Sequence, residues 1–273
     1  MAMVTSILTD ERRAAWDRDG YLIVPGLFSP DEVAAVRHLF DAIGQKGEPI
    51  PNHWEPKLDA PADDVLARWP RVMHLHRRDE QVKAWMLHPG VRDVLAELMG
   101  GPAVATQSMY YFKPPGAKGQ ALHQDNFYLQ VKPDTCVAAW TAIDPATPAN
   151  GGMYLVPGTH TMEIVCPEVA DASESFTTHL VNAPKGMKAI PAVMNPGDTL
   201  FFNGSVVHGS GPNRSPSGGQ WRRAFICHYM PKSSTHIWEG YFPILDFDGH
   251  EIAYQASKDG GPCGNEFTNV GYH

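Results

Sequence analysis

Beyond Pro102 the chain is punctuated at short intervals: runs rich in Val, Tyr, Phe, Trp and Thr are each cut off by clusters of Gly, Pro and Asn. The runs read VATQSMYYF, CVAAWTAI, GGMYLV, DTLFFN and RRAFICHYM. β-Branched and aromatic residues suit a pleated, half-buried surface, and the intervening clusters force turns. Several short strands divided in this way predict a β-sandwich or barrel.

The first hundred residues have a different texture, mostly helical. In SPDEVAAVRHLFDAI, Ser29 is an N-cap, Pro30 occupies the first helical position and Glu32 completes a capping box. Val33, Val36, Leu39, Phe40 and Ile43 recur at helical spacing and form one apolar stripe. Thr9 caps a shorter helix through Trp16, and GYLIVPGLF reads as a strand. Pro51, Pro56, Pro61 and Pro70 make the region 45–70 a loop, and helical spacing returns over 80–99 until Gly100-Gly101-Pro102 stops it. With no internal repeat and no low-complexity linker, one domain over 1–273 is expected. It comprises a helix-rich segment over 1–101, a β core over about 102–232 and a C-terminal extension over 233–273 with no readable ligand pattern.

A hydrophobic content of 43% over 273 residues supports a full core. The net charge of -8 argues against a broad nucleic-acid surface, and no apolar run reaches membrane-spanning length. The start, MAMVTSILTDERR, lacks the pattern of a signal peptide. Cys136, Cys166, Cys227 and Cys263 form no CxxC, which favours free thiols in a reducing compartment, so a cytoplasmic location is expected.

Chemistry concentrates in ALHQDNFYL, where His123 stands two positions before Asp125. In an extended segment residues i and i+2 share a face, so one imidazole and one carboxylate would meet the same point. His208, in NPGDTLFFNGSVVHGSGPN, is the candidate third ligand. Two histidines and one carboxylate on a β-sandwich describe the facial triad of non-haem iron(II) oxygenases, which leaves coordination positions open. A structural zinc site would close with four ligands. An HxD pair alone is more often a locally bonded turn. The neighbouring WRRAF adds weight, because arginine offers a carboxylate a two-pronged donor. Spacing alone does not choose between Arg222 and Arg223.

HQDNFYL, AAWTAIDPATPANGGMYLVPGTH and HGSGPN followed by RRAFICHYM resemble the phytanoyl-CoA dioxygenase family, as does the opening DGYLIVPGLFSPDEV. The resemblance spans about residues 9–232. It implies a mainly β fold with flanking helices, a double-stranded β-helix (jelly-roll, cupin-like) core, and a dependence on Fe(II), 2-oxoglutarate and O2. It also implies that His123, Asp125 and His208 are the catalytic metal ligands and that Arg222 holds the far carboxylate of 2-oxoglutarate. Trp140, Gln107 and Arg71 correspond to positions near the cosubstrate. Trp140 is equally readable as a core aromatic, and Gln107 as a group that satisfies backbone.

Hydroxylation of a small-molecule substrate, with release of succinate and CO2, is the reaction the resemblance implies. Relatives that install chlorine replace the triad carboxylate by a small residue; Asp125 is retained here, which favours hydroxylation or a related oxidation over halogenation. Desaturation, cyclisation and epimerisation by the same centre stay open, as does a jelly-roll binding protein without catalysis. No nucleic-acid or membrane partner is expected, and self-association into a homo-oligomer stays open. Among the other histidines, His74 and His76 repeat the i, i+2 spacing without a partner motif, and His160 reads as structural. His228 shares a strand face with Arg222; lining the pocket stays open, and a satisfied core histidine is the preferred reading.

Overall fold

Ser29 opens the longest helix through reciprocal bonding. Its hydroxyl accepts from the Glu32 backbone N–H, while the Ser29 N–H donates to the Glu32 carboxylate at 2.8 Å, and Pro30–Lys46 follows. Gly47 ends the helix at φ 68°, a left-handed conformation that costs glycine little. Val33, Val36 and Phe40 are its buried face. The Thr9-capped helix runs on to Asp19. The span 80–99 is two helices, Glu80–Met86 and Pro89–Leu98, because Pro89 lacks an N–H and starts afresh at a first helical position. Of the proline-rich region 45–70, residues 45 and 46 finish the helix Pro30–Lys46 and the rest is loop apart from the single turn Val65–Arg68.

This computed structural model describes residues 8–216, 218–258 and 263. The first seven residues of the expected domain, and much of the extension including most of GGPCGNEF, lie outside the described residues.

Two antiparallel sheets form the core, and all five expected strand runs are present. The major sheet runs Tyr21–Val24, Thr199–Asn203, Val137–Ala142, Ala224–Pro231, Ala103–Tyr111, Ile244–Leu245, Glu251–Ile252, with Val72–Met73 also paired to Ala103–Tyr111. The minor sheet runs Gln120–His123, His208–Ser210, Met153–Leu155, Ile190–Ala192. This is the jelly-roll core. Strands from the helix-rich segment and from the C-terminal extension pair at its edges.

Alternation along the major sheet gives each face its own role. Tyr110, Phe225, Cys227 and Tyr229 meet the helices, and Phe40 stacks on Tyr110 with ring centroids 3.9 Å apart. Burying an aromatic side chain of this size contributes roughly 1.5–3 kcal/mol. Met109, Trp140, Phe202 and Ile226 face the other way and pack against Met153 and Leu155 of the minor sheet.

The cysteines depart from expectation. Cys166 and Cys263 form a disulfide, and Cys136 and Cys227 are free and buried. The partners lie 97 residues apart, so their spacing gives no sign of pairing. Cysteine usage is therefore no ground for placing the chain in a reducing compartment. Among the described residues no helix is long and apolar enough to cross a membrane.

Candidate active site

His123 ends one strand of the minor sheet and His208 begins the next, and the two are Cα partners. The Nδ1 of His123 lies 2.8 Å from the Ala121 carbonyl, and the Nδ1 of His208 lies 2.9 Å from the Val206 carbonyl. A carbonyl only accepts, so both Nδ1 atoms carry protons and both Nε2 atoms offer lone pairs. Those Nε2 atoms face Asp125 Oδ1 at 3.5 Å and 3.4 Å. With metal–ligand bonds of about 2.0–2.2 Å, neighbouring octahedral ligands stand roughly 3 Å apart, so both histidine–carboxylate distances lie within about half an ångström of those around a shared ion. All three residues are buried. Burial, then the adjacent His208, lowers the pKa of His123 and favours the neutral ring that binds metal.

Asp125 reaches this point by a different route from the expected pleat. The strand stops at His123, and Asp125 has helical backbone angles, φ −63° and ψ −38°, ahead of the single turn Asn126–Leu129. Gln124 secures the change of direction. Its amide donates to the Ser205 carbonyl at 2.9 Å and the Glu163 carbonyl at 3.2 Å, while its oxygen accepts from the Val165 N–H at 3.0 Å. A turn, held by loops distant in sequence, aims the carboxylate. Its other oxygen, Oδ2, lies 2.9 Å from His228 Nε2. His228 is therefore buried and also lines the site, so the alternative to a plain core histidine is the one the geometry favours.

Between the sheets, the triad shares a pocket with Tyr111, Gln120, Trp140, Ser210 and Arg222. Arg222 is 2% exposed. Its Nε donates to the Gly151 carbonyl at 3.0 Å, its guanidinium carbon sits 5.1 Å from the Trp140 ring centroid, and its Nη1 has no hydrogen-bond partner among the described residues. Burial pulls its pKa down to about 10, which leaves it cationic at neutral pH. Lys113 is also buried, its Nζ 2.8 Å from Ser210 Oγ, and burial together with Arg222 depresses its pKa well below the usual lysine value. Among the described residues no carboxylate lies within ion-pairing distance of Arg222 or Lys113. A buried charge without a counter-charge is costly, so this end of the pocket suits an anion. Arg223 turns away and pairs at 3.1 Å with both Asp41 and Asp144.

Trp140 thus lines the pocket, whereas Gln107 and Arg71 do not. Gln107 is buried as the Cα partner of His228. Arg71 lines an adjoining cavity of about 780 Å³ and donates to the Tyr111 hydroxyl at 3.1 Å. Tyr111 lines both spaces. Sequence reasoning missed Lys113, Tyr111 and Ser210. Lys113 stands at φ 39°, and nothing in FKPPG signals that its side chain turns inward.

Residues 16–224 match the family described as phytanoyl-CoA dioxygenase (PhyH). A Caenorhabditis elegans protein named probable phytanoyl-CoA dioxygenase is 30% identical over 244 residues, covering 82% of this chain and 76% of that one. Among solved structures, the non-heme alpha-ketoglutarate dependent epimerase SnoN from nogalamycin biosynthesis gives a TM-score of 0.62 at 21% identity, covering 82% of this chain and 83% of that one. EctD from S. alaskensis, with 2-oxoglutarate and 5-hydroxyectoine, gives 0.65 at 18% identity, covering 85% and 79%. At these identities the likeness is one of fold. The family match spans most of the sequence: this chain belongs to the phytanoyl-CoA dioxygenase family and is an oxidoreductase of the dioxygenase class.

Proposed function

We propose that the protein is an Fe(II)- and 2-oxoglutarate-dependent dioxygenase that hydroxylates an unactivated C–H bond of a small-molecule metabolite, with release of succinate and CO2. The observation that carries this reading is the unpaired Nη1 of the buried Arg222, in the same pocket as the His123–Asp125–His208 set. In that role the three residues hold the iron, and Arg222 receives the far carboxylate of 2-oxoglutarate. Lys113 fixes the Ser210 hydroxyl beside it. Trp140 packs against the Arg222 guanidinium and gives the cosubstrate a flat wall. Met109, Met153, Phe202 and Ile226 line the same pocket with apolar surface, which keeps water from the reacting groups.

When bound, iron and 2-oxoglutarate supply the O2-activating chemistry; the chain's own share is to bind, orient and exclude water. The adjoining cavity is the proposed substrate side, of a size suited to a small molecule. Arg71 belongs there, one hydroxyl away from the metal pocket through Tyr111, in place of direct cosubstrate contact. The whole is one catalytic domain, and the retained Asp125 favours hydroxylation over halogenation.

The test is succinate formation from 2-oxoglutarate with Fe(II) and O2 across a metabolite panel, read with product mass. A gain of one oxygen atom is the expected result. Loss of two hydrogens would assign desaturation or cyclisation, and an unchanged mass with inverted stereochemistry would assign epimerisation. Iron binding with no substrate-dependent succinate would leave a binding protein.

A further inference from the structure

We infer that His228 is the positioning residue for Asp125: it holds one carboxylate oxygen so that only the other is presented to the metal. This rests on the iron site proposed above. The two oxygens of Asp125 have divided surroundings. Oδ1 faces the Nε2 atoms of His123 and His208 at 3.5 Å and 3.4 Å, and Oδ2 lies 2.9 Å from Nε2 of His228. An ionised carboxylate only accepts, so the proton of this bond resides on His228 Nε2, which makes the ring a donor and removes that nitrogen from the ligands. Accordingly, His228 falls outside the three-residue set whose ligand atoms cluster within 4.8 Å.

What makes His228 an effective brace is where it stands. Asp125 lies in a turn, and the triad histidines are on the minor sheet. His228 sits in the middle of the major sheet, Cα partner of Gln107 on one side and Ala138 on the other. Its carbonyl accepts from the Thr106 hydroxyl at 3.0 Å. The bond to Asp125 therefore ties a ligand carried on a turn to a central strand of the major sheet, across the gap between sheets. A carboxylate bound through one oxygen takes one coordination position; bound through both, it would take a second that a chelating cosubstrate or O2 needs.

The test compares His228→Leu, which removes the donor at similar volume, with His228→Gln, which keeps an amide N–H at similar reach. Anaerobic Fe(II) titration gives the affinity of each metal-free protein, and thermal melting of the same metal-free samples reports folding. In His228→Leu, Fe(II) affinity should fall about 10- to 100-fold, the usual effect of losing a ligand's hydrogen-bond partner. His228→Gln should recover most of that loss, and the visible absorbance of the Fe(II)–2-oxoglutarate complex should be altered in His228→Leu and restored in His228→Gln. Wild-type affinity in a folded His228→Leu overturns the inference. So does a folded His228→Gln that binds iron as weakly as Asp125→Ala, a result that decides the matter even if His228→Leu does not fold. Wild-type protein that binds Fe(II) no better than Asp125→Ala instead overturns the iron site itself, so the two failures are distinguishable.

Discussion

Arg222 and Arg223 are neighbours in the chain and serve opposite sides of the major sheet. Arg222 lines the pocket beside Trp140, while Arg223 pairs with Asp41 and Asp144 and lies over the Trp221 ring at 4.9 Å. Arg222→Ala should therefore raise the KM for 2-oxoglutarate by roughly 10- to 150-fold, corresponding to the loss of a charge-assisted bond of about 1.5–3 kcal/mol. Arg223→Ala should leave that KM near wild type and lower the melting temperature. Steady-state kinetics at varied 2-oxoglutarate check both, and the assignment of the pocket arginine fails if the two variants exchange behaviour.

Lys113 gives a prediction in which binding and stability diverge. Lys113→Met removes a buried amine beside Arg222 while filling a similar volume. Its metal-free form should melt no lower than wild type, because the cost of burying the polar amine disappears with it. Its 2-oxoglutarate affinity should nonetheless drop, because Ser210 loses its hydrogen-bond partner. Paired melting and calorimetric titration measure the two effects on one sample.

Acid should weaken the fold through His74 and His76. Both are buried, with pKa values lowered from 6.5 to about 2 and about 3, burial being the leading cause in each. Their folded pKa values lie below the unfolded one, so between about pH 3 and 6.5 the unfolded chain binds protons that the folded chain refuses. Stability is thus fully present above pH 6.5 and is lost as pH falls, by up to about 1.4 kcal/mol per pH unit for each histidine. Urea midpoints of metal-free protein at about pH 7.5 and about pH 5.5 should show the fall, and His76→Gln should make it shallower.

Thiol counting checks the Cys166–Cys263 bond. Unfolded without reductant, the protein should show the thiols of Cys136 and Cys227 alone; after reduction all four cysteines should react. Reduction, or Cys166→Ser, should cost about 2–4 kcal/mol of stability by freeing a long loop in the unfolded chain. Four reactive thiols before reduction would rule the bond out.

The strands were legible because each carries its own chemistry: VATQSMYYF and RRAFICHYM alternate between the helix face and the pocket face, and Gly/Pro clusters mark their ends. The capping box at Ser29 and Glu32 was legible for the same local reason. The spacing correctly brought His123 and Asp125 together while suggesting the wrong backbone, because the turn at Gln124 depends on carbonyls of Glu163 and Ser205 that no local pattern announces. His228 shows the same limit from the other side. Its strand face could be read by counting in twos from Arg222, but its partner, Asp125, lies on a separate element. Lys113 and the Cys166–Cys263 pair left no local trace, since what they touch is decided by tertiary structure.

The strand Ala224–Pro231 carries Phe225 and Cys227 into the helix layer and Ile226 and His228 into the pocket. Sliding it by one residue would swap the two sets, leaving rings without their seats and Asp125 without its brace. The same register that docks the helices also readies the oxidising centre. In a newly made chain, Asp125 therefore gains its partner on this strand only when the helix layer finds its seats on the opposite face.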